Sequence, residues 1–146
     1  MSGVALGIVF QAAILVSGSQ PYAEAFNEAA SNGQPLLVLV GADWCPGCVT
    51  MKQTVLPRLV GNGRLRRVNY TTVNIDEHSE LAYKLMQGRS LPQLIVYART
   101  RRGWHRDQIT GPTSEEGVAQ LLDKAVAAQE SPENQTATAI TETKKE

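Results

Sequence analysis

The chain has 146 residues, 42% of them hydrophobic, with 14 basic and 14 acidic side chains and a formal net charge of zero. That is enough chain for one buried core, too little for two ordinary domains, and too apolar for a wholly disordered polymer. The balanced charge argues against a nucleic-acid binder held by phosphate attraction, and two cysteines exclude a disulfide-rich scaffold.

The first charged side chain is Glu24, and residues 4–16 are apolar apart from Gln11. The run is too short for a membrane-spanning helix. Its length and its small-residue ending, Val16-Ser17-Gly18, suit a secretory segment and its cleavage site, although no Lys or Arg precedes it. Residues 1–20 are therefore read as a signal peptide or an N-terminal anchor with a membrane tether through residues 4–16. That places the rest outside the cytoplasm, periplasmic or membrane-anchored. The alternative is an ordinary buried first element in a cytoplasmic protein.

From Tyr22 the pattern becomes helical. Tyr22, Ala25, Phe26, Ala29 and Ala30 share one face, and Gly33 stops the run. Leu36 to Val40 is continuously apolar and reads as a strand buried on both faces. A long helix is expected from Cys45 to about Leu59, with Pro57 near its end. Val68 to Ile75, rich in β-branched residues, reads as a second strand. A helix over Glu77 to Gln87 ends at Gly88, and a third strand covers Leu94 to Tyr97. A polar turn, Arg99 to Gly103, leads to a fourth strand over Trp104 to Ile109. Thr113-Ser114-Glu115-Glu116 has capping-box character, and Val118, Leu121, Leu122, Ala125 and Val126 form the apolar face of a last helix.

Strands joined through a helix are parallel, and strands joined by a short turn are antiparallel. The expected fold is α/β: a mixed central sheet with helices on both faces, over residues 21–128. Residues 129–146 are polar apart from Pro132, two alanines and Ile140, and are expected to be a disordered tail. Asn69-Tyr70-Thr71 and Asn134-Gln135-Thr136 match the glycosylation tripeptide, a frequent chance pattern, and are assigned no role.

The chemistry concentrates in Trp44-Cys45-Pro46-Gly47-Cys48, at the junction of the first strand and the long helix. A helix N-terminus carries unpaired N–H groups and a partial positive charge, which lowers the pKa of a thiol placed there. Pro46 suits the first helical turn because its missing N–H had no helical partner to lose. Gly47 lets another chain approach closely. Cys48, three residues on, brings its sulfur within reach of Cys45. A metal site is the weaker reading, since zinc needs four ligands and the only histidines, His78 and His105, lie on separate elements. The remaining reading is a structural disulfide or inert thiols.

From Tyr22 to Ala128 the chain resembles the thioredoxin superfamily. Ala42-Asp43-Trp44-Cys45-Pro46-Gly47-Cys48 resembles its A-x-W-C-x-x-C motif. Asn74-Ile75-Asp76 resembles the end of its middle strand, Ser90-Leu91-Pro92 its cis-proline loop, and Gly111-Pro112 the glycine before its final helix. Among its members the chain is similar to extracytoplasmic domains such as the C-terminal domain of DsbD-type thiol:disulfide interchange proteins. The stretch Gly41 to Leu59 carries that likeness, since the helix lacks the mid-helix proline of ordinary thioredoxins.

The resemblance implies thiol–disulfide exchange with Cys45 as nucleophile and Cys48 as resolving thiol. Trp44, Pro46, Gly47, Leu91 and Pro92 would line the substrate site, with Pro92 preceded by a cis bond and the Leu91 backbone offered to an extended substrate. No cofactor and no metal are required, since the electrons reside in the two sulfurs. The implied partners are protein disulfide substrates and a thiol electron donor, with the chain a monomer.

Two positions depart from the family pattern. Leu39 stands where ordinary thioredoxins bury an Asp that helps move a proton at the second cysteine, and Thr72 stands where they have a Lys. No His lies between the cysteines, so a reducing or intermediate poise is expected. The rivals are an oxidase or isomerase on the same fold, and a binding or chaperone module without redox turnover. The basic excess from Arg58 to Arg106 is read as a solvated face.

Overall fold

The computed structural model describes residues 20–131. The signal-or-anchor segment, apart from Gln20, and most of the C-terminal tail lie outside these residues. Helix α1 (Tyr22–Asn32) leads through Gly33, whose φ of 72° closes the helix in the left-handed region, to strand β1 (Leu36–Gly41). A helical rod follows in three pieces: α2 (Pro46–Thr50), a π-helical segment (Met51–Val55) and α3 (Leu56–Gly61). Then come β2 (Asn69–Asn74), α4 (Ser79–Leu85), β3 (Gln93–Thr100), β4 (Gly103–Thr110) and α5 (Glu115–Glu130).

The sheet order is β2-β1-β3-β4. β1 runs parallel to β2 and antiparallel to β3, and β3 pairs antiparallel with β4. This is the expected mixed sheet. β1 is buried along its whole length because it divides two cores. Leu37 and Leu39 pack with Met51, Leu56, Leu59, Leu94, Val96, Val118 and Leu121 on one face. Leu36, Val38 and Val40 pack with Ala25, Ala29, Ala82, Leu85 and Ile95 on the other. Helices thus cover both faces, and the alternation of a pleated strand assigns each β1 residue to its core.

Several boundaries differ from the sequence reading. The long helix is not uniformly α-helical. Pro57 has no N–H and its ring would meet the carbonyl four residues back, so the turn before it widens and the Leu56 N–H bonds to Met51 O. α4 begins at Ser79 rather than Glu77, because Asn74 Oδ1 accepts the Asp76 N–H and Asn74 O accepts the His78 N–H, holding residues 74–78 in turns. β3 extends to Thr100, which pairs with Gly103, so the hairpin turn is Arg101-Arg102 alone. Arg99 lies in the strand, where its guanidinium donates to Ala30 O at 2.7 Å.

The cap of α5 sits one residue later than expected. Ser114 accepts the Gly117 N–H, so glycine occupies the position where a capping box needs Glu. Val126 falls off the buried face and is 38% exposed. α5 also runs past residue 128. Gln129 belongs to it, and its amide donates to Gly33 O and Arg99 O.

Candidate active site

All four strands bring one end to the same rim of the sheet. β1 leaves through Gly41, β2 through Asn74 and β4 through Thr110, while β3 begins there at Gln93. The candidate residues lie on the loops joined to these ends.

Cys45 is the N-cap of α2 in extended conformation, and Pro46 takes the first helical position. Cys45 Sγ accepts the Cys48 N–H at 3.3 Å, an interaction with one of the helix's unpaired donors. The two cysteines form a disulfide with their Cα atoms 5.2 Å apart. Cys48 is 4% exposed, and the two cysteines form a small buried cluster with Ala42, against which Ile75 and Leu91 pack.

The Leu91–Pro92 peptide bond is cis. Gly47 faces the ring of Pro92, where an added Cβ would lie 3.3 Å from Pro92 Cδ and 3.4 Å from Pro112 Cβ. The segments that approach Gly47 thus belong to this chain. Gly111 N–H donates to Pro92 O at 2.8 Å, tying the loop before α5 to the cis-proline loop. Trp44 stands apart from this packing. It is 68% exposed, and its indole N–H donates to Asp76 Oδ2 at 2.9 Å, spanning the β1 and β2 exits. The structure therefore brings Cys45, Gly47, Cys48, Leu91 and Pro92 together, with Pro46 exposed and Trp44 at the rim.

Three contributors escaped the sequence reading. Gly41 lies directly against the second cysteine: a Cβ there would stand 2.9 Å from Cys48 Cβ and 3.1 Å from its Sγ. Its position at the end of an apolar run was the only signal. Gln93 is fully buried. Its amide accepts the Gln87 N–H at 3.0 Å and donates to Gln87 O and Ser90 O at 2.9 and 3.1 Å, clasping the loop that ends in Leu91-Pro92. A polar residue opening an apolar strand marks a satisfied buried amide as readily as a strand end. Pro112 closes the site behind Gly47.

Behind Cys48 a cavity of about 60 Å³ opens between β1, β2 and the helical rod. It is lined by Leu39, Gly41, Asp43, Cys48, Lys52, Gln53, Thr72 and Asn74 among others. Leu39 thus borders the space beside the second sulfur. Asp43 sits at the exposed side, with Asn74 Nδ2 donating to its Oδ2 at 3.3 Å and Lys52 Nζ 3.7 Å from its Oδ1. A cysteine pair at a helix N-terminus is an arrangement that can open to a dithiol and close again to a disulfide.

The described fold matches solved thioredoxins. A thioredoxin from Thermus thermophilus superposes with a TM-score of 0.63 at 22% identity, covering 75% of this chain and 87% of that one. Plasmodium falciparum thioredoxin gives a TM-score of 0.55 at 17% identity over 72% and 82%. Trxlp from Edwardsiella tarda gives 0.53 at 27% identity over 68% and 91%. The family model described as thioredoxin-like matches residues 19–98, more than half of the sequence. With its four-stranded mixed sheet and its Cys-x-x-Cys pair at the helix start, the chain belongs to the thioredoxin-like family.

Proposed function

We propose that the chain is a thiol–disulfide oxidoreductase that reduces disulfides of extracytoplasmic proteins through its Cys-Pro-Gly-Cys dithiol. The observation that carries this reading is the Cys45–Cys48 bond at the N-terminus of α2, where the leading sulfur meets a helix N–H. In the reduced protein, Cys45 thiolate attacks one sulfur of a partner disulfide. A mixed disulfide forms and the partner's other sulfur leaves as thiolate. Cys48 thiolate then attacks Cys45 Sγ, the Cys45–partner bond breaks, and the electron pair departs with the partner's sulfur. A thiol electron donor restores the dithiol. Leu91 and Pro92 beside the sulfurs supply backbone for an extended substrate segment, and Trp44 supplies an exposed apolar wall.

What supports the reducing direction is the absence of a His, or any other cation, between the cysteines to stabilise the thiolate further. Equilibration with glutathione is expected to return a potential below about −200 mV, whereas a value near about −120 mV, that of DsbA, would reverse the direction to oxidation. Turnover is tested by insulin reduction with dithiothreitol. Wild type accelerates precipitation and Cys45→Ser does not; equal rates would leave a binding module. The extracytoplasmic setting rests on residues 1–20. Alkaline phosphatase fused behind them is expected to become active in a bacterial host, and an inactive fusion would place the domain in the cytoplasm.

A further inference from the structure

The geometry points to Asp43 as the group that takes the proton from Cys48, through water held in the cavity behind that sulfur. The inference rests on the thiol-exchange reading and extends it to the resolving step. Cys48 is 4% exposed, and a thiol must lose its proton to attack. On one side Cys48 belongs to the small cluster with Ala42 and Cys45 against which Ile75 and Leu91 pack, and the apolar side chains there accept nothing. On the other side lies the cavity of about 60 Å³, against the roughly 10–15 Å³ needed by one water. Thr72, Asn74, Gln53 and Asp43 supply polar side chains around it.

Asp43 is the carboxylate on that lining, and Lys52 is the other charged group there. The Asp43 carboxylate is oriented from two elements, by Asn74 at the end of β2 and by Lys52 on the π-helical segment. Asp76, the next acidic side chain on the β2 side, is engaged by the Trp44 indole and does not line the cavity. The widened turn begins at Met51, three residues after Cys48, so Lys52 and Gln53 reach the cavity from the same rod that carries the sulfur.

Cys48 Sγ bonds to Cys45 Sγ, the bond between Cys45 and the substrate sulfur breaks, and that sulfur leaves with the electron pair as thiolate. The Cys48 proton passes through water to the Asp43 carboxylate, which returns it to solvent.

Single-turnover reduction of 5,5′-dithiobis(2-nitrobenzoate) by the reduced protein separates the two attacks. The first thionitrobenzoate released reports Cys45 and the second reports Cys48. Asp43→Asn is expected to slow the second phase about tenfold at pH 6.5 and to leave the first within twofold, with the gap closing by about pH 9.5 as hydroxide takes over. Asp43→Glu is expected to recover most of the rate. A carboxylate acting only through its charge predicts the reverse, because its removal stabilises the Cys48 thiolate and speeds the second phase. An unchanged second phase, a faster one, a gap independent of pH, or slowing by Lys52→Gln in place of Asp43→Asn would each overturn the assignment.

The alkylation rate of Cys48 in a Cys45→Ser background tests the contact without turnover. Removing the Asp43 charge is expected to raise the rate at pH 7 about threefold, and an unchanged rate would mean that Asp43 and Cys48 do not share the cavity. Absence of a first phase in wild type would instead defeat the exchange reading, with this alkylation readout still deciding the contact.

Discussion

Gly41→Ala places one methyl group against the redox pair and tests the packing of the site directly. The new Cβ would stand 2.9 Å from Cys48 Cβ and 3.1 Å from Cys48 Sγ. Carbon atoms in contact prefer roughly 3.5–4.0 Å, so β1 and the start of the helical rod must separate by roughly 0.6–1.1 Å. Neither side yields freely. Gly41 is paired with Asn74 in the sheet, and Cys48 is bonded to Cys45 and follows Gly47, itself confined by Pro92 and Pro112. Overpacking of this kind costs about 1–3 kcal/mol. For a domain of this size that is a fall of roughly 4–12 °C in the unfolding midpoint. Circular dichroism melts of the oxidised and reduced proteins measure it, with Gly61→Ala as the control. No atom lies within 4 Å of a Cβ at Gly61, so that variant is expected to be neutral or to gain about 0.5–1 kcal/mol in the helix. If Gly41→Ala melted with Gly61→Ala and reduced the nitrobenzoate disulfide at the wild-type rate, the close approach of β1 to Cys48 would be wrong.

Two further outcomes concern stability. Gln93→Leu removes three hydrogen bonds that clasp the loop at residues 87–90 and is expected to cost about 1–3 kcal/mol, read as a lower urea midpoint at unchanged slope with faster amide exchange at Gln87. Tyr70 is partly buried against the core, and that burial pushes its pKa up to about 12 from 10. Because the unfolded chain ionises first, the stability linked to this group is intact below pH 10 and drains away as pH rises toward 12. Wild type should lose roughly 2–3 kcal/mol relative to Tyr70→Phe across that window in alkaline unfolding, and parallel curves for the two proteins would contradict the burial.

Periodicity was enough for the architecture because each element's pattern matches its burial. Leu36 to Val40 reads as continuously apolar because it faces two cores, and the helices read as amphipathic because each faces one. The boundaries were less legible where a local bond overrides the pattern. Asn74 holds the chain in turns up to His78, a β-pair at Thr100 and Gly103 shortens the hairpin, and Pro57 widens the turn before it. In the site, the Cys45-Pro46-Gly47-Cys48 segment was legible because its spacing is local. Leu91 and Pro92 were named as its partners through the family resemblance, and the other partners were not. Gly41, Gln93 and Pro112 come from separate stretches of sequence and meet it only through the register of β1, β3 and β4.

Gln129 fastens the last turn of α5 to Gly33 and Arg99, beside the beginning of β1 and the far part of β3. The sulfurs lie where β1 ends and β3 begins, so the body of the sheet separates the two. A dye, a bead or a second protein coupled at Ser131 would hang from the pole opposite the disulfide. An immobilised preparation made this way would present its reactive face outward to whatever large molecule is passed over it.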